Sequence, residues 1–219
     1  RDSNKQSTSS MPNPNPTKKL STSMFILRRF LMNTSIVTAY LIDSLGVIKS
    51  RKAYQKLIYL TKALGVPLEG SYRMYYYGPY SDEIAKELDY MLSRDIIRDQ
   101  SDSNCFISGS KAKSIVEENQ EFIKKYQSEL DKVINSFGKL EPMQLEIIAT
   151  THFIYNNLKH LYNITDKSII IDKVKKAKSP KFSEEQIIEA YDFLKKEGLI
   201  VRTEENHCTR KADGSSTFI

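Results

Sequence analysis

The residues able to do chemistry are few, and their spacing does not assemble them. His152 and His160 stand eight residues apart on one predicted helix, more than two turns. A helical metal pair needs donors about one turn apart, as in His-Glu-x-x-His. His207-Cys208 lies near the C-terminus, and Cys105 and Cys208 show no metal-ligand spacing. Two reduced thiols suit an intracellular setting. The 8 glycines are scattered, so no phosphate-cradling loop forms, and no Gly-x-Ser-x-Gly elbow occurs. Acidic residues fall beside lysines, as they do on solvated helix faces. The expectation is a chain with no catalytic residue, no metal, no cofactor and no small-molecule substrate, and one that is not an enzyme.

The remaining candidates are cationic and aromatic. Lys49, Lys52, Lys56 and Tyr59 follow at i, i+3, i+7 and i+10, one face of a helix. No acidic residue occurs between Ser44 and Leu68. A second basic run holds Lys173, Lys175 and Lys176, followed by Lys178 and Lys181. Either set could meet phosphates or an acidic partner, or be a plain solvated face. Tyr75, Tyr77 and Tyr80 could bury area at a protein interface or stack on nucleic-acid bases. Alternation along the strand sends Tyr72, Met74 and Tyr76 to one face, the expected core side, and Arg73, Tyr75 and Tyr77 to the other.

These residues need elements to hold them. The run 72–77 is rich in β formers, and Gly78-Pro79 is expected to break it. Ser81 is placed to cap a helix over about 81–94, with Asp82 and Glu83 in its first turn. Upstream, Ser50 can cap a helix over 51–64 that stops at Gly65-Val66-Pro67. Downstream, Ile96-Ile97-Arg98 and Cys105-Phe106-Ile107 read as strands joined by a turn at Ser101-Asp102-Ser103-Asn104. The run 72–77 could add a third strand. Helices followed by a small hairpin are the winged helix-turn-helix order.

Two stretches of this region resemble a known family. Tyr77-Gly78-Pro79-Tyr80-Ser81, with its following acids, is similar to the signature of the YwgA-like family of bacterial and archaeal proteins. Arg51-Lys52-Ala53-Tyr54-Gln55-Lys56-Leu57-Ile58-Tyr59 resembles that family's other block, Arg-Lys-x-x-Gln-Lys-x-x-Tyr, with Tyr54 where Leu is usual. The likeness spans about 33–203. The group is distantly similar to Panacea-type antitoxin domains. By analogy the resemblance implies binding of a partner protein; it implies no activity.

The rest of the chain gives a domain plan. Residues 1–23, rich in Ser, Thr, Asn and Pro, predict a disordered leader, part of which could be vector-derived. Met24–Ile42 is apolar, but after Arg29 only 13 residues precede Asp43, among them Asn33, Thr34, Ser35 and Thr38. That is too short and polar to span ~30 Å of hydrocarbon. A first core helix over 24–45 and a cytoplasmic, non-membrane protein are expected. The plan is an N-terminal winged-helix domain over 24–110, a connecting helix over 111–138 opened by Ser110, and a C-terminal unit over 139–203. In that unit, 142–162 reads as a buried helix started by Pro142, followed by a helix over 166–178. Ser183 and Gln186 form a capping box, and Leu199–Arg202 reads as a strand after Gly198. The unit could thus be a second, degenerate winged helix. The tail 204–219 is expected to be unstructured. The fold class is mainly α with small β-hairpins.

Charge then ranks the partners. The formal charge is +6, but Arg1, Lys5, Lys18 and Lys19 against Asp2 place +3 of it in the first 23 residues. The helix at 81–94 carries Asp82, Glu83, Glu87 and Asp89 against Lys86 and Arg94. That at 183–197 carries five acids against Lys195 and Lys196. Docking either in a DNA groove would bring carboxylates to phosphates. The leading expectation is a regulatory or adaptor protein that binds a protein partner or itself through winged-helix modules. The alternative is a DNA-binding transcriptional regulator.

Overall fold

The computed structural model describes residues 22–100 and 104–201. Its first helix, α1 (Thr22–Leu45), ends at Gly46, whose φ of +74° suits a residue without Cβ. The expected leader over 1–23 lies outside the described residues except for Thr22 and Ser23, which open α1. After Gly46 comes the short strand β1 (Ile48–Lys49), then α2 (Ser50–Ala63). The chain passes from strand to helix within one residue. Ser50 takes φ +85°, and its hydroxyl accepts from the Ala53 N–H at 3.3 Å, the capping role its position suggested.

The aromatic run does not form a lone strand. Arg73–Tyr75 (β2) and Gly78–Tyr80 (β3) pair antiparallel, with Tyr76 and Tyr77 in the turn between them. Gly78-Pro79 is therefore part of a strand rather than its end. Proline is tolerated because this sheet has only two strands, so each has an open edge. Tyr76, expected on the core side, is 77% exposed because it sits at the turn, where alternation no longer applies.

Ser81 caps α3 (Asp82–Ser93), its hydroxyl accepting from the Ile84 N–H at 3.4 Å. Next come β4 (Ile97–Gln100) and β5 (Cys105–Ser108), paired so that Ile97 faces Ser108 and Asp99 faces Phe106. The third strand of this sheet is β1, with Ile48 opposite Phe106, and not the 72–77 run.

The stretch 112–137 is helical but interrupted. It divides into α4 (Ala112–Glu118), α5 (Gln120–Lys125), α6 (Gln127–Lys132) and a π-helical turn, Val133–Phe137. The break at Asn119 has a local cause: its side-chain amide donates to the Ile115 carbonyl at 2.8 Å, competing with the backbone. Ser110 does not cap this stretch, because its hydroxyl is bonded to Asp95. The first segment packs along α1.

Helix α7 (Pro142–Tyr162) starts with Pro142 in its first turn and a capping box between Glu141 and Gln144. It packs against α2 and β3 on one side, and against α8 (Lys167–Lys178) and α9 (Glu184–Lys196) on the other. Ser183 and Gln186 make the expected box at the start of α9. The predicted strand after Gly198 does not form among the described residues. The Leu199 and Ile200 N–H groups both donate back to the Leu194 carbonyl, and Val201 bonds the Tyr155 hydroxyl. The tail over 204–219, with His207 and Cys208, lies outside them. The fold is mainly helical, with small antiparallel sheets of two and three strands.

Candidate functional site

The inward face of α2 is an anchoring face. The Gln55 side chain brackets Ser81, its amide N donating to the Ser81 carbonyl at 2.9 Å and its amide O accepting from the Ser81 N–H at 3.2 Å. From the next residue, Lys56 Nζ donates to the Pro79 carbonyl at 2.6 Å. The two sequence blocks singled out above therefore meet. Gln55 and Lys56 of the first hold the Pro79-Tyr80-Ser81 backbone of the second. On its other side β3 lies directly on α7. Gly78 has φ +89°, and a Cβ there would stand 2.5 Å from Thr150 Oγ1, so only glycine allows the approach.

This bracing leaves a cavity of about 290 Å³ between α2, the β2–β3 hairpin and α3. Tyr75, Tyr77 and Tyr80 form one wall, Ala85 and Leu88 of α3 the other. Arg51, Lys52, Gln55 and Lys56 close the α2 side. The Tyr75 and Tyr80 rings sit 5.6 Å apart, and Tyr76 packs edge-on to Tyr77 outside the cavity. The structure thus brings together Lys52 and Lys56 with all three candidate tyrosines.

The basic stripe, however, is not a free surface. It faces α7. Lys49 pairs with Glu141, Lys52 reaches Glu146 at 3.1 Å, and Lys56 is buried. Tyr59 meets His152, hydroxyl to Nδ1, at 2.8 Å. The missing acids of the stripe's own segment are supplied by α7. The second basic run is matched as well: Lys175 pairs with Glu184, and Lys176 with Asp172 at 2.8 Å. Lys173 is exposed on α8, away from the cavity.

Sequence reasoning missed Glu146. It is fully buried in a helix that reads as apolar on most sides. Its Oε1 accepts from Lys178 at 2.9 Å and Lys181 at 2.8 Å; its Oε2 accepts from Lys181 at 2.7 Å and Lys52 at 3.1 Å. Burial alone would raise its pKa, but bonds from three ammonium groups hold it below the ordinary carboxylate value. One acid in an apolar helix, set against a lysine excess elsewhere, was the available signal. Lys56 lies in the same field. Burial pushes its ammonium down to about 7, against the pull of Glu146 and with the push of Lys178, Lys52 and Lys181.

His152 is a packed side chain. Burial lowers it from 6.5 to about 4. An unfolded histidine takes its proton near 6.5, so folding stability is unaffected above that pH and falls as pH drops toward 4. The expected loss is about 3 kcal/mol. Glu87, whose carboxyl is raised by burial, acts oppositely at the lower end. Comparing urea midpoints of wild type and His152→Asn at pH 7.5 and 4.5 isolates the histidine; equal acid losses in both would exclude it as the cause.

Among the described residues no group of His, Cys, Asp and Glu could hold a metal ion. Among the same residues no helix is long and apolar enough to cross a membrane. A scan against protein-family models finds no match to this chain, and a search of the curated proteins finds none either. The site is therefore read from its geometry: an apolar, tyrosine-walled recess with a cationic edge.

Proposed function

We propose that the protein is a non-enzymatic regulatory or adaptor module that seats an apolar side chain of a partner protein in the α2–hairpin–α3 cavity. The cavity carries this reading. Its volume is at the lower limit for small-molecule sites, which suits one side chain better than a cofactor. Its tyrosines join apolar area to a polar handle, the composition of protein interfaces. The order α1–β1–α2–α3–β4–β5, with sheet order β1–β5–β4, supports a winged helix-turn-helix with an extra hairpin between its second and third helices. The resemblance of the two bracing blocks to the YwgA-like group supports an antitoxin-like or adaptor role in the cytoplasm.

A DNA-binding regulator ranks second, on charge. Asp82 and Asp89 on α3 pair with Arg73 and Arg51, so the third helix offers carboxylates where phosphates would lie. Lys49, Lys175 and Lys176 already have acidic partners of their own, and Lys52 shares Glu146 with Lys178 and Lys181.

The test is NMR shift mapping of the full chain with N-acetyl-leucinamide and N-acetyl-phenylalaninamide. About a dozen heavy atoms at ~0.3 kcal/mol each give millimolar binding. Shifts are expected at Tyr75, Tyr80, Ala85 and Leu88, and are expected to vanish in Ala85→Phe, which fills the recess while circular dichroism stays unchanged. No shifts there, together with salt-steep binding of mixed duplex DNA, would replace this reading with the second.

A further inference from the structure

We infer that the partner segment is acidic and carries two apolar anchors, one in the cavity above and one in a groove between α7 and α9, with a carboxylate lying between them. The inference rests on the proposed function and extends it.

The second recess holds about 340 Å³ and is walled by Met143, Ile147, Phe182, Ala190 and Phe193. It adjoins the first. Lys52, at the edge of the cavity, reaches Met143 at the edge of the groove, Nζ to Sδ 3.7 Å. Lys181, at the edge of the groove, lies 4.9 Å over the Tyr77 ring, which walls the cavity. Lys52 stands 5.4 Å from the same ring. A ridge of Lys52, Tyr77 and Lys181 therefore separates two apolar recesses by little more than one side chain.

The ridge has more positive charge than the fold neutralises. Lys52, Lys178 and Lys181 share the single carboxylate of Glu146. Glu146 and Lys178 are buried, whereas the Lys52 and Lys181 side chains are 23% and 30% exposed. Three ammoniums on one carboxylate leave two charges uncompensated, and the two ammoniums nearest solvent flank Tyr77. A carboxylate from outside, lying between these two ammoniums, offsets one of the two charges. A polyphosphate chain does not fit as well, because both flanks are apolar and Glu189 lines the groove. Charge complementarity thus selects an acidic peptide segment with large apolar residues on either side of its acid.

The experiment is panning of a phage-displayed random peptide library on the immobilised full chain, followed by titration of the enriched peptides in synthetic form. The expected winners place Asp or Glu between two large apolar residues. Their binding is expected to weaken about tenfold or more in Lys181→Gln and in Met143→Asp, and with rising salt. Lys181→Gln leaves Glu146 with two donors, so the fold is expected to stand; Met143→Asp, at an exposed edge, provides the check if it does not. Peptides abolished by Ala85→Phe but indifferent to both other variants would overturn the two-anchor inference and leave the cavity reading intact. Peptides indifferent to all three, or no enrichment, would overturn both.

Discussion

Glu146→Gln is expected to lower the unfolding free energy by about 3–5 kcal/mol, a large part of the ~5–15 kcal/mol typical of a folded domain. The amide keeps the shape of the side chain but not its charge. Lys52 and Lys181 can turn toward water, since both are partly exposed. Lys178 cannot, with its side chain 3% exposed and only neutral acceptors left to it, the Tyr76 carbonyl at 2.9 Å and the amide oxygen. The loss comes chiefly from that stranded ammonium, because one partner of a buried pair has been removed. Adding Lys178→Met should therefore recover much of it, as an apolar replacement needs no counter-charge. Urea unfolding of wild type, the single variant and the double variant checks both steps. A loss under about 1 kcal/mol in Glu146→Gln, or no recovery in the double variant, would show that the lysines find other partners.

The same residues show how far the sequence could be read. Local signals carried through. Ser81 caps α3, Pro142 opens α7, and Ser183 and Gln186 box α9. Each depends on hydrogen bonds within a few residues, which the sequence order itself determines. The candidate site was legible in its parts and not in its assembly. Lys52, Lys56, Tyr75, Tyr77 and Tyr80 were all singled out, yet as a possible phosphate surface and a separate aromatic strand. Their meeting depends on Gln55 and Lys56 reaching the backbone 23 to 26 residues away, and on α7 bringing Glu146 some 94 residues from Lys52. Periodicity cannot report such pairings. It showed that Lys49, Lys52, Lys56 and Tyr59 share a face but not what that face meets. For the same reason Leu199–Arg202 read as a strand: the β formers are present, but pairing needs a neighbouring strand, and Leu199, Ile200 and Val201 fold back onto Leu194 and Tyr155 instead.

The cluster also makes the fold most stable on the alkaline side of neutrality. Lys56 is pushed by burial to about 7, whereas an unfolded lysine titrates near 10.4. Between those values the unfolded chain holds a proton that the folded chain has released. Stability therefore rises with pH across that window, with a slope of up to ~1.4 kcal/mol per unit. Lys178, also lowered by burial, acts in the same direction. The rise is limited from above by Tyr54, Tyr59 and Tyr72, whose hydroxyls burial raises well beyond 10. Unfolded tyrosines ionise near 10, so from there stability falls again. Urea midpoints are expected to climb from pH 7 to 9 in wild type and to climb less in Lys56→Met. The methionine variant leaves the Pro79 carbonyl without its 2.6 Å donor, which costs about 1–3 kcal/mol at every pH. The readout is therefore the slope and not the midpoint itself. A flat or falling wild-type profile would mean that Lys56 stays charged in the fold. An unchanged slope in Lys56→Met would assign the proton to Lys178.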